Sequence, residues 1–171
     1  GNMPFWEKCM AAVFQSVTCR TAGFFTIPQE NLQEASAMVC MILMFIGGSP
    51  LGTAGGVKTT TMAALLLTGS SFFKGKEDTE VFNRRIPENN IRTAWVVLML
   101  GLAVVLTSTI GLAIATEGME EGAYLINIMY EVTSAGATVG LSRGLTPLLP
   151  AAGKLIIILT MYIGRIGPTT L

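Results

Sequence analysis

The sequence contains no histidine, and its three cysteines, Cys9, Cys19 and Cys40, are odd in number and lack the paired spacing of a zinc site. The thiols therefore read as small apolar fillers rather than as metal ligands. Charge is also scarce: 13% of the 171 residues carry one, roughly half the fraction usual in soluble domains. Eleven basic and eleven acidic side chains cancel, which removes a general electrostatic attraction to nucleic acid. No basic region followed by an apolar core opens the chain, so no signal peptide is expected; Trp6 and a short apolar stretch stand there instead.

What is abundant is apolar surface, with 51% hydrophobic residues and a mean hydropathy of +0.59. Ala94 to Ala115 is a run of 22 residues without a charge. As a helix it covers roughly 30 Å, the thickness of a bilayer's hydrocarbon core, so a membrane span is expected over a buried soluble helix. Lys74, Lys76, Arg84, Arg85 and Arg92 precede this run, and Glu117, Glu120 and Glu121 follow it. The basic bias places residues 70–92 in the cytoplasm and the acidic connector outside.

An internal repeat organises the chain. Thr21-Ala22-Gly23-Phe24 and Thr138-Val139-Gly140-Leu141 share a pattern 117 residues apart, and Met44-Phe45-Ile46-Gly47 and Met161-Tyr162-Ile163-Gly164 recur at the same offset. Each copy holds a short apolar helix (about Trp6 to Val17, and Tyr124 to Thr133), a Gly-containing loop, a Pro-bearing connector and a long apolar segment. The short helices cannot cross a bilayer, so each is expected to be re-entrant from outside and to hand over to irregular backbone facing water or ions. The first copy begins almost at its short helix, so the chain reads as part of something longer.

Such loops can turn successive carbonyls toward an axis and replace the water shell of a cation. The candidate ligands are the carbonyls of Arg20, Thr21, Ala22, Gly23 and Phe24 and of Ala137, Thr138, Val139, Gly140 and Leu141, with the two threonine hydroxyls as extra oxygens. Both short helices aim their C-termini at this region, each contributing roughly half a negative charge that favours cations. A single tetrad of this kind is more often an ordinary turn; its duplication in matched context favours the pore.

The stretch from Ala35 to Leu67 is too long for one plain helix across a bilayer. Its middle, Gly47-Gly48-Ser49-Pro50-Leu51-Gly52-Thr53-Ala54-Gly55-Gly56, strips out helix propensity. A flexible intramembrane gate is expected, involving Gly47, Gly48, Ser49, Gly52, Thr53, Gly55, Gly56 and Lys58; a loop at the cytoplasmic exit is the alternative. Arg165 lies inside the other long apolar segment, where it either bonds the Gly-rich loop and helps set the barrier or snorkels to the inner surface.

The runs Ser16-Val17-Thr18-Cys19-Arg20-Thr21-Ala22-Gly23-Phe24, Gly47 to Thr61, Gly140-Leu141-Ser142 and Gly164-Arg165-Ile166-Gly167-Pro168 together resemble the KtrB/TrkH potassium transporter superfamily over nearly the whole chain. The resemblance implies an all-α integral membrane fold of tandem helix–pore loop–helix repeats, similar to potassium channels, with four repeats around one pore. Residues 1–73 would be the third repeat without its first membrane helix, 74–92 a cytoplasmic loop and 93–171 the fourth repeat. It further implies potassium as the cargo, sodium as an activating or coupled ion, an N-terminal half of the same pore, homodimeric membrane subunits in a cell inner membrane, a cytoplasmic nucleotide-binding regulatory subunit, and gating roles for the Gly-rich loop and Arg165. Cys19 and Phe25 depart from the family pattern.

Two other classes compete. Gly52 to Thr60 suggests a phosphate-binding loop of an ATPase, but Val57 separates Gly56 from Lys58, where that motif needs them adjacent, so an enzyme is not expected. A non-conducting membrane scaffold with glycine-mediated helix packing explains the composition but not the matched loops.

Overall fold

The computed structural model describes residues 4–48, 55–74, 80–81, 84–119 and 124–166. The helices are α1 (Phe5–Thr18), α2 (Glu34–Phe45), α3 (Thr59–Phe73), α4 (Glu88–Ala115), α5 (Leu125–Gly136), α6 (Leu145–Leu148) and α7 (Ala151–Ile166), with a 3₁₀ turn at Gln29–Asn31. Pro4 and Pro87 stand immediately before α1 and α4, where a missing N–H costs nothing, and Glu7, Glu34 and Glu88 occupy first turns, where their charge complements the helix dipole.

The expected span ends as read, at Ala115, but starts at Glu88 rather than Ala94, because Pro87 sets the helix start and the polar turn behind it continues the same helix. Of its most apolar stretch only 6% is buried. Ala94, Val97 and Leu112 are its buried residues, and the rest of its apolar surface is partly or fully uncovered. The expected break in the next long segment lies between Phe45 and Thr59. Ile46 pairs with Val57 in a parallel bridge and the Val57 N–H donates to the Phe45 carbonyl (3.1 Å), so the two ends of the break are pinned together.

One element departs from the all-helical expectation. Glu80–Val81 (β1) and Arg84–Arg85 (β2) form an antiparallel pair within the basic connection, where the reversing chain satisfies its own peptide groups.

The twelve-residue α5 is the centre of the fold. It packs against α2, α4, α6 and α7, and Ile128 and Tyr130 to Ala135 are buried. On one side Tyr130 joins Cys19, Ala37, Cys40, Met41, Met44, Ala137, Val139 and Leu141; on the other Ile128, Val132 and Ala135 join Leu112, Leu145, Leu149 and Ile157. The helices α4 and α7 meet through small residues, Gly153 against Leu112 and Gly111 against Ile156, and through a bond from the Thr160 hydroxyl to Ser108 (2.8 Å).

At Gly164 the backbone of α7 lies directly on the backbone of α5, and a Cβ there would strike the Gly136 carbonyl. Gly164→Ala is therefore expected to destabilise the folded protein by about 1–3 kcal/mol or more. Gly69→Ala, whose Cβ would meet nothing, should leave thermal stability in detergent equal or slightly raised.

Candidate functional site

Each Thr-x-Gly loop follows the C-terminus of a short helix and bends in the same way. Thr21 (φ 62°) and Gly23 (φ 75°) are left-handed after α1; Thr138 (φ 56°) and Gly140 (φ 88°) are left-handed after α5. A β-branched residue in that region costs about 1–3 kcal/mol, and the cost is met at equivalent positions of both copies. The loop amides turn back to the helix ends: Ala22 and Gly23 N–H donate to the Thr18 carbonyl (3.2 Å each), and Val139 N–H donates to that of Ser134 (2.9 Å). Among the described residues no backbone N–H outside the helices donates to the carbonyls of residues 20–23 or 137–141. Peptide oxygens in this state can accept from water or coordinate a cation.

The two loops adjoin. A Cβ on Gly23 would collide with the Val139 carbonyl oxygen, so two strained segments from distant parts of the chain share one place. Their exposures differ: Ala137, Val139 and Leu141 are buried, whereas Arg20, Ala22 and Phe24 are exposed. Among the described residues no group of three or more His, Cys, Asp or Glu side chains gathers.

The Gly-rich segment reaches the second loop. The Gly55 N–H donates to the Thr138 hydroxyl (3.1 Å), a Cβ on Gly55 would lie 2.7 Å from Thr138 Cγ2, and a Cβ on Gly56 would touch Ala137. Gly47 packs against the Gly55 carbonyl, Gly48 accepts from the Thr59 N–H (3.4 Å), and Lys58 immediately precedes α3. Ser49, Gly52 and Thr53 lie outside the described residues. Arg165 sits exposed on the last turn of α7. A cavity of about 290 Å³, lined mainly by apolar side chains including Phe45, Val57 and Val104 and by Gly56 and Gly164, opens beside the segment.

Against this geometry, the profile of the TrkH family, described as cation transport protein, matches residues 1–171. The chain belongs to the TrkH family. It is 39% identical to Ktr system potassium uptake protein B of Bacillus subtilis (strain 168), over 99% of this chain and 37% of that protein. It is 40% identical to potassium/sodium uptake protein NtpJ of Enterococcus hirae, over 97% of this chain and 37% of that protein. The crystal structure of the potassium transporter TrkH from Vibrio parahaemolyticus superposes with a TM-score of 0.77 at 22% identity, covering 96% of this chain and 36% of that one, which establishes a shared fold. The chain thus spans a little over a third of the relatives it matches.

Several residues of this TrkH-family chain that sequence reasoning passed over support the loops. The Thr18 hydroxyl donates to the Phe24 carbonyl in a short contact. Glu131, on α5, is 4% exposed and accepts four hydrogen bonds from the stretch after the second loop. A polar belt ties the two copies together: Gln15 Nε2 donates to Gln29 Oε1 (2.7 Å), the Tyr130 hydroxyl donates to the same oxygen (2.9 Å), and Arg143 lies over the Tyr130 ring (5.9 Å) while donating to the Leu32 carbonyl (3.1 Å). A carboxylate inside an apolar helix was a readable signal for Glu131. The belt had none, because its members are individually ordinary surface-type residues.

Proposed function

We propose that this chain supplies two neighbouring quarters of a potassium-conducting pore, residues 1–73 one and 93–171 the other, joined by the cytoplasmic connection 74–92. The observation that carries the reading is the contact between Gly23 and the Val139 carbonyl, which sets two loops side by side at the ends of α1 and α5, their carbonyls at 20–23 and 137–141 not engaged by backbone N–H groups of the described loops. Carbonyls fixed by strained backbone can replace water around a cation without a side-chain charge, and the two helix C-termini favour positive ions there. The names of the relatives point to the ion, potassium for one and potassium or sodium for the other, and an activating or coupled role for sodium is part of the proposal.

In this reading the remaining quarters come from an N-terminal half of the same protein, and the bare apolar faces of α4 and α7 meet lipid. The complete protein is a multi-pass subunit of the cell membrane that pairs with a second copy and with a cytoplasmic nucleotide-binding regulator. The Gly-rich segment is the gate: its Gly55 bonds Thr138 of the second loop, and the cavity beside Gly56 and Val57 gives these residues room to withdraw. Potassium flux into liposomes holding the complete protein tests the proposal; flux no greater than in empty liposomes would overturn it.

The gate has its own test. Gly55→Ala places a methyl against Thr138 and should prevent the segment from seating, raising potassium flux about threefold to tenfold. Unchanged flux with normal protein levels would remove the segment from the gating role.

A further inference from the structure

The two loops are alike in backbone but held by different means. In the first, the Thr18 hydroxyl donates to the Phe24 carbonyl; the position 117 residues on is Ala135, which has no hydroxyl to offer. In the second, Glu131 Oε1 accepts from the Ser142 hydroxyl (2.5 Å), the Arg143 N–H (3.1 Å) and the Leu145 N–H (3.3 Å), while Oε2 accepts from the Thr146 hydroxyl (2.8 Å). The position 117 residues before Glu131 is Phe14, which is 38% exposed and cannot accept a hydrogen bond. The carboxylate is thus present in one copy and absent from the other.

Its placement is costly unless it does something. Glu131 sits on the most buried helix of the fold, between Tyr130 and Val132, both fully buried. A carboxylate there needs its lone pairs filled, and the donors that fill them are peptide and hydroxyl groups of the stretch directly following Gly140 and Leu141. Charge-assisted bonds of this kind are short and directional, so they fix the orientation of the peptide planes that donate. Ser142 adds a further link by accepting from the Gly144 N–H (3.1 Å).

We infer that Glu131 is a positioning residue that holds the outer end of the second Thr-x-Gly loop and thereby sets how strictly that loop discriminates between alkali cations. The inference rests on the pore reading above. Glu131 touches no ion; it acts through the backbone of residues 142–146. The chain therefore contributes one loop anchored by a buried carboxyl side chain and one anchored by a hydroxyl.

Charge and geometry can be separated in the complete protein. Glu131→Gln keeps an oxygen for Ser142, Arg143 and Leu145, and its new amide can donate to the Thr146 hydroxyl, so positioning survives without the charge. Glu131→Ala removes all four bonds. Expected, from competition of sodium against potassium uptake at matched membrane levels, is a potassium preference within about twofold of wild type for Glu131→Gln and about tenfold lower for Glu131→Ala. An unaltered preference in Glu131→Ala overturns the inference, as does Glu131→Gln falling as far as Glu131→Ala, which would assign the effect to charge.

Should Glu131→Ala fail to reach the membrane, the Ser142→Ala, Thr146→Val pair removes two donors and leaves the carboxylate in place. A drop in preference of about threefold supports the inference, and none overturns it. Wild-type protein that carries no potassium defeats the pore reading itself; potassium flux with unaffected variants defeats only the role of Glu131.

Discussion

Replacing Gly23 by serine in the complete transporter is expected to lower the preference for potassium over sodium about tenfold, with a fall in uptake of similar size. Two costs combine at this residue. Its φ of 75° is strained for any side chain, and the new Cβ would occupy the position of the Val139 carbonyl oxygen. The first cost is about 1–3 kcal/mol, and 1.4 kcal/mol already corresponds to a factor of ten. The second moves an oxygen of the opposite loop, so one substitution distorts both copies. Uptake kinetics with sodium as competitor measure the effect, and a preference equal to wild type would separate Gly23 from ion coordination.

Removing residues 48–56 should have the opposite sign, raising potassium flux about tenfold or more. Ile46 and Val57 run parallel where they bridge, so joining Gly47 directly to Val57 must give up that bridge and the bond from the Val57 N–H to the Phe45 carbonyl. It takes away Gly55 and Gly56, which lie against Thr138 and Ala137. Arg165→Ala is expected to act in the same direction and more weakly, since α7 itself stays intact. Flux measured in cells lacking other potassium uptake decides the matter: a shortened protein that conducts at the wild-type rate would leave the Gly-rich segment without a gating role.

The parts of the fold that could be read in the sequence were those repeated within it. The offset shared by Thr21 and Thr138 marked two loops, and the same two positions in each prove to be left-handed, because a common backbone path imposes a common pattern of threonine and glycine. The long helix was legible because 22 residues without a charge, free of proline, favour one unbroken apolar helix, as Glu88–Ala115 is. Helix starts were less legible: α4 begins at Glu88, in a polar turn that hydropathy does not distinguish from a loop. The supports of the candidate site were the least legible. Glu131 is a visible anomaly in its helix, but its four donors come from a loop whose path depends on the Gly144 turn, left-handed at φ 84°. Gln15, Gln29, Tyr130 and Arg143 meet only when α1, α5 and the connector before α2 come together, and no local periodicity encodes that meeting.

The two long apolar segments that repeat each other do not end alike. After Phe45 the first breaks off and its continuation hangs from Ile46 and Val57, whereas α7 runs unbroken past the matching position to Ile166. On the gating role proposed above, the barrier would move like a trapdoor hinged at Ile46 and Val57, with α3, which leaves the hinge at Thr59, as its lever.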